Sequence, residues 1–211
     1  MSRYRTIIVA ALFILLLQMV TGCSSTPESS SKLAYIKVNK QSPYEQTFKD
    51  LHLGPLLDFN LRLPEADQTW VNIWVEGYQD GKPMSPLKLA ELSYGESPEP
   101  TAEGPLVMGI VNAAAGKPLI FLYSSGASVV PQALDFVLNR EGVGGSTWSY
   151  AFGDEEVGFE AGETKVLGVY REVKKILNSY DYQDTEQLKQ MVKDDMTVLF
   201  LKIKVEHQPS P

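Results

Sequence analysis

Leu57-Asp-Phe-Asn-Leu-Arg-Leu63 puts four large apolar side chains on one side of an extended chain and three polar ones on the other. A period of two suits a pleated strand with one wet face and cannot form a stable helix stripe. Thr197-Val-Leu-Phe-Leu-Lys-Ile-Lys-Val205 repeats the pattern, with Thr197, Leu199, Leu201, Ile203 and Val205 inward and Lys202 and Lys204 outward. Between these stretches, Gly and Pro recur every 8–15 residues and separate short runs rich in β-formers. This spacing predicts a mainly β chain, an antiparallel β-sandwich for which the immunoglobulin-like form is one option, with one or two short helices.

Trp70 to Tyr78 is apolar on both faces for its first half and reads as a central strand, with Asp80-Gly81 as the turn that follows. Leu106–Val111, Leu119–Tyr123 and Lys165–Tyr170 read as further strands. Leu134–Leu138 and Thr147–Phe152 flank Gly142-Val-Gly-Gly145, which predicts a hairpin. Ser42-Pro43-Tyr44-Glu45 combines an N-cap serine, proline at the first helical position and a capping glutamate. Tyr44, Phe48 and Leu51 form the stripe of that helix and Gly54 can end it, while a strand reading of residues 44 to 53 stays open. Asp184-Thr-Glu-Gln187 opens a second helix whose stripe is Leu188, Met191 and Val192, just before the last strand.

Ahead of this domain lies a segment of another kind. Arg3 and Arg5 precede a charge-free stretch of 17 residues from Thr6 to Gly22. A basic start followed by a short apolar run is the layout of a secretory signal, and no basic stop-transfer cluster follows. Val20-Thr21-Gly22-Cys23 ends the run, and Cys23 is the chain's single cysteine. These four residues resemble the lipobox of bacterial lipoproteins: an aliphatic residue, two small ones and the modified cysteine. The resemblance covers the first 23 residues and implies a diacylglyceryl group (with palmitate-class chains) on the thiol, cleavage between Gly22 and Cys23, and an amino group open to acylation. Val20 stands where leucine is most typical. Two or more acyl chains hold a protein on a membrane stably, whereas one holds it marginally.

The expected organisation is a signal peptide over 1–22, a lipidated cysteine and Ser-rich tether over 23–33, and one domain over 34–208. Ser24 to Lys32 has no large apolar residue, and nine flexible residues reach about 15–18 Å in root-mean-square terms. Ser24 directly after the cysteine fits sorting to an outer membrane where the cell has one. The expected location is therefore the extracytoplasmic face of a cell membrane, with lipid as the anchor.

Loss of Arg3 and Arg5 takes the basic count from 19 to 17 against 26 acids, a formal charge of −9. The longest basic run afterwards is Lys174-Lys175. Nucleic-acid binding, which depends on clustered cations, is not expected. A single thiol excludes an internal disulfide and a cysteine-cluster zinc site.

Motifs for catalysis are sparse. There is no G-x-S-x-G; Ser124-Ser-Gly-Ala-Ser128 lacks the strand–turn–helix setting of a nucleophile elbow. His52 and His207 are the only histidines, and His207 lies close to the chain end. Gly142-Val-Gly-Gly-Ser-Thr147 lacks the lysine of a phosphate loop. Asp154, Glu155 and Glu156, followed by Glu160 and Glu163, supply oxygen ligands for a hard cation, but not at EF-hand spacing. A solvated acidic surface explains them more simply, so no metal and no cofactor is expected. Trp70, Trp74, Trp148 and Tyr150 are the aromatic residues that a binding surface would use. The expected role is a non-catalytic binding or accessory module of the envelope, whose partner is an envelope protein or a wall polymer. The competing class is an envelope hydrolase with a carboxylate-based site, which requires two acids facing across a cleft.

Overall fold

The alternating stretches become strands because each has one face to bury and a neighbour to bury it against. In the computed structural model, residues 32–113 and 117–208 are described. The expected signal peptide, the lipobox-like residues with Gly22 and Cys23, and nearly all of the expected tether lie outside them. In chain order the elements are β1 (Ala34–Val38), α1 (Pro43–Asp50), β2 (Leu56–Leu63), β3 (Thr69–Gln79), β4 (Lys82–Tyr94), β5 (Ala102–Val111) and β6 (Leu119–Ser124). Then come β7 (Ala127–Ala133), β8 (Gly145–Tyr150), β9 (Val157–Phe159), β10 (Thr164–Val173), α2 (Thr185–Asp194) and β11 (Thr197–His207).

Two antiparallel sheets face each other. The six-stranded sheet runs β7-β6-β5-β2-β1-β9 and the five-stranded sheet β4-β3-β11-β10-β8. Leu57, Phe59, Leu61 and Leu63 of β2 meet Val71, Ile73 and Val75 of β3 and Leu199, Leu201, Ile203 and Val205 of β11 in one buried cluster. The protein is thus a mainly β sandwich with two helices among the described residues, and its strands outnumber the seven to nine of an immunoglobulin domain. Leu33 is buried and its N–H donates to Phe159 O at 2.9 Å, so the folded unit takes in the last tether residues.

Local chemistry sets the connections. Asp80 and Gly81 have φ of 51° and 77°, the paired left-handed conformation of a two-residue hairpin turn between β3 and β4. Ser42 Oγ accepts the Glu45 N–H at 3.1 Å, and Glu45 Oε2 accepts the Gln41 N–H at 2.7 Å. This is a capping box displaced by one residue on its return arm. Asp184 caps α2 through the N–H groups of Glu186 and Gln187. Helix α2 lays Met191 on Val166, Val169, Val198 and Phe200, covering the outer face of the five-stranded sheet at one end.

Two expectations are corrected. Residues 134–138 are not a strand, and Gly142–Gly145 is not the bend of a hairpin: β8 pairs with β10 instead. Leu134 and Leu138 are apolar because they plug the end of the core from a loop, a demand that leaves the same sequence signal as a strand. Helix α1 is ended by His52, not Gly54. The Leu53 N–H reaches Phe48 O and the His52 N–H reaches Lys49 O, a Schellman closure with His52 in the left-handed position at φ 52°. Gly54 is needed elsewhere, since a Cβ there would lie 2.1 Å from Ile110 O.

Asp58 is on the outward side of β2 and yet fully buried, because the start of α1 covers it. Asn39 Nδ2 donates to its Oδ2 at 3.1 Å, and Oδ1 has no partner among the described residues. Burial pushes the Asp58 carboxyl above its ordinary range. The folded state therefore resists ionisation: the contribution is whole below the unfolded value near ~3.9 and is lost as pH rises through the raised folded one. Asp58→Asn is expected to gain about 1 kcal/mol at pH 7 and nothing near pH 3. Urea midpoints at the two pH values check this; a gain that persists at pH 3 contradicts it.

Candidate functional site

Strand direction gives the sandwich two unlike ends. Lys32, the β2–β3 and β4–β5 connections, the start of β10 and the end of β11 share one end. There Glu65, Asp67, Glu96, Glu99, Glu160 and Glu163 crowd the loops. The opposite end carries α1, the loop after β5, residues 134–144 and the loop after β10, where Lys40, Lys49, Lys82, Arg140, Lys174 and Lys175 balance the acids. The exposed aliphatic residues Leu51, Val137, Ile176 and Leu177 also lie in loops of that end.

A cleft of about 460 Å³ opens there between α1 and β8. Glu45, Phe48, Lys49 and His52 form the α1 side, and Ser146, Trp148 and Tyr170 form the sheet side. Leu56, Asn112 and Asn139 close the base. Of the α1 stripe, Phe48 alone lines the cleft. Tyr44 and Leu51 are exposed, the helix has no buried residue, and Phe48 packs on Phe121 with ring centroids 5.8 Å apart.

The base is held by a buried carboxylate. Glu172, with no exposed surface, accepts the Asn139 N–H at 2.6 Å and the Tyr170 O–H at 3.0 Å through Oε1. Its Oε2 is buried and has no partner among the described residues. Burial drives the Tyr170 hydroxyl far above its ordinary value, so it stays protonated and donates. Asn139 also donates its amide to Ala113 O at 2.9 Å, tying the 134–144 loop to the end of β5. At the inner end, Tyr150 stacks edge-on against Phe59 at 5.2 Å and its hydroxyl accepts the Asp58 N–H at 3.2 Å. Burial pushes that hydroxyl up to about 12.

Backbone conformation marks the same place. Of the six non-glycine residues with positive φ among those described, His52, Asn112 and Asn139 line this cleft. Asparagine and histidine are among the side-chain-bearing residues that enter that region most readily. Such conformations gather where a site is held in a fixed shape.

The sequence candidates divide between places. Trp148, 47% exposed, and Tyr150 are on edge strand β8 and face the first sheet; Trp148 lines the cleft. Trp70 and Trp74 are on the other face of the second sheet, since their β3 neighbours Val71, Ile73 and Val75 supply the core. Trp74 is nearly buried, lies 5.1 Å from Lys88 Nζ and donates to Glu76 Oε1 at 2.8 Å; Glu76 also takes Lys202 Nζ at 2.7 Å. The four aromatic residues therefore do not form one surface.

Asp154 pairs with Lys40 at 2.6 Å, Glu156 with Arg62 at 2.8 Å, Glu160 with Lys32 at 2.6 Å and Glu163 with Lys165, while Glu155 is exposed. None of these acids lines the cleft. Among the described residues no three His, Cys, Asp or Glu side chains converge as metal ligands would. Ser124 is buried against the Tyr94 hydroxyl at 2.6 Å, in the tight β6–β7 turn. His207 ends β11 at the acidic end. No family model, no curated protein and no solved structure matches this chain.

His52, Asn139, Tyr170 and Glu172 carry no motif. Their signal is faint: His52 sits just past the end of α1 and Asn139 in the middle of the 134–144 loop, both at positions that take a left-handed residue.

Proposed function

We propose that the protein is a lipid-anchored extracytoplasmic binding module of the bacterial envelope, and that the cleft between α1 and β8 receives its partner. The observation that carries this reading is the position of the cleft. It lies at the end of the sandwich away from Lys32, lined by a half-exposed tryptophan beside a base fixed by buried Glu172.

The anchor reading rests on Cys23 and the residues around it, and the placement of the cleft gives it a consequence. Nine residues fully extended cover about 30–32 Å, and the eleven residues of β3 rise about 36 Å. The tether is thus shorter than the strands of the domain it holds, and it joins the domain at Lys32, the end opposite the cleft. The acidic loops near Lys32 are repelled by anionic headgroups and hold the domain off the surface. Glu45 is the one acid among the residues that line the cleft, which favours binding over hydrolysis by paired carboxylates.

A benzophenone amino acid in place of Lys49, on the cleft rim, is expected to crosslink a defined envelope partner in intact cells, and the same group in place of Glu99 is not. Cys23→Ala is expected to lose lipid labelling and membrane retention. Continued acylation of that variant would refute the anchor; equal crosslinking from positions 49 and 99 would refute the site.

A further inference from the structure

The two sheets have four edge strands, and three are guarded against added strands. β4 carries Pro83 and Pro86 and two register shifts against β3. β7 carries Pro131 and a register shift against β6. β9 is three residues long. Proline, irregular register and shortness are the devices that stop an edge from pairing with another chain. Strand β8, Gly145-Ser-Thr-Trp-Ser-Tyr150, has none of them: it has no charge and no proline, and it pairs with β10 over six consecutive residues without a shift.

The direction of its free hydrogen-bonding groups follows from the ladder. The Ala151 N–H donates to Leu167 O at 2.8 Å. In an antiparallel pair the main-chain groups alternate between the two sides. Those of Ser149 and Thr147 therefore face β10, and those of Ser146, Trp148 and Tyr150 face the open side. Ser146 and Trp148 are also the two β8 residues that line the cleft. An unguarded edge thus runs along a cleft wall, with α1 opposite.

We propose that this edge takes an extended polypeptide segment of a partner protein, added to β8 as an antiparallel or parallel strand within the cleft. Evenly spaced main-chain donors and acceptors match another backbone in a way that a sugar or a folded surface does not. Alternate side chains of the segment point inward to Trp148 and Phe48, which suits apolar or aromatic residues, while Glu45, Lys49 and His52 meet its flanks. The inference deepens the binding-module reading and rests on it only for the cleft as the site; it does not depend on the lipid anchor.

The test uses the full chain in detergent micelles and a displayed library of random twelve-residue peptides as the probe. Enriched peptides are expected to slow amide exchange at Ser146, Trp148 and Tyr150, with Thr147 and Ser149 already slow before peptide is added. Ser146→Pro removes a single outward N–H and is expected to weaken binding roughly tenfold or more, whereas Glu99→Ala, at the other end of the sandwich, keeps the affinity. If Ser146→Pro fails to fold, the exchange pattern of the unsubstituted chain decides. Equal binding by both variants, or peptide protection elsewhere, overturns strand addition while leaving cleft crosslinking from position 49 intact. Concentration-dependent protection of β8 without peptide overturns it in favour of a second copy. Quenching of Trp148 fluorescence by a β-1,4-linked N-acetylglucosamine tetramer, with no enriched peptide, overturns it in favour of a saccharide.

Discussion

Arg171→Ala is expected to lower the unfolding free energy by about 3–5 kcal/mol, the cost of leaving one partner of a buried ion pair alone. Arg171 and Asp195 side chains are each 2% exposed, and the guanidinium bridges both carboxylate oxygens, Nε to Oδ2 at 2.5 Å and Nη2 to Oδ1 at 3.2 Å. Its third nitrogen donates to Asn178 O at 2.8 Å, and its plane lies 4.9 Å from the Tyr180 ring. One side chain therefore ties β10 to both ends of the segment that carries α2. For a chain of this size the loss corresponds to a Tm lower by about 6–20 °C. Amide exchange is expected to accelerate over residues 174–195 before it does in β2 or β3. The pair's net worth is a separate question, because two buried charges are costly to desolvate. The double change Arg171→Met with Asp195→Leu is expected to recover most of the loss. A double variant as unstable as Arg171→Ala would show that packing, and not the stranded charge, sets the effect.

Glu172→Ala is the second large effect, about 2–4 kcal/mol. It strands the Tyr170 hydroxyl and the Asn139 N–H, each costing about 1–3 kcal/mol when buried without an acceptor, and it opens a void. The damage has a direction. Asn139 is held at φ 52° and ties the 134–144 loop to the end of β5, so its release reshapes the base of the cleft. Glu172→Gln keeps an acceptor for both donors and is expected to stay within about 1 kcal/mol of the unsubstituted chain. Urea unfolding of the two variants, with Trp148 emission reporting the cleft, separates loss of hydrogen bonds from loss of volume. Equal destabilisation by Ala and Gln contradicts the hydrogen-bond account.

The strands at the centre of both sheets were legible residue by residue. β2 and β11 alternate because a sheet with one wet face leaves no other arrangement, and the inward sets are the ones read from sequence. Both helix starts were legible because capping is local: Ser42 and Asp184 satisfy N–H groups two or three residues away. Misreadings arise where an apolar run has more than one use. Leu134 and Leu138 cap a core from a loop, and Tyr44 and Leu51 of the α1 stripe stay exposed. Gly54 looks like a helix stop but serves the close passage of Ile110 O. In each case the residue type was read correctly and its partner lay too far along the chain to be inferred.

By itself the sequence determined the class of fold, the strands at its centre and both helix starts. These depend on period, capping and composition, which act over a few residues or over the whole chain at once. Only the tertiary structure decided that Glu172, Asn139 and Tyr170 meet behind Trp148. It also decided that the two tryptophans of β3 belong to another face, and that β8 is an unguarded edge beside α1. Those facts depend on which strand lies beside which. That order is set by pairings from about twenty positions apart, as in β8–β10, to more than a hundred, as in β3–β11, and no local pattern encodes it.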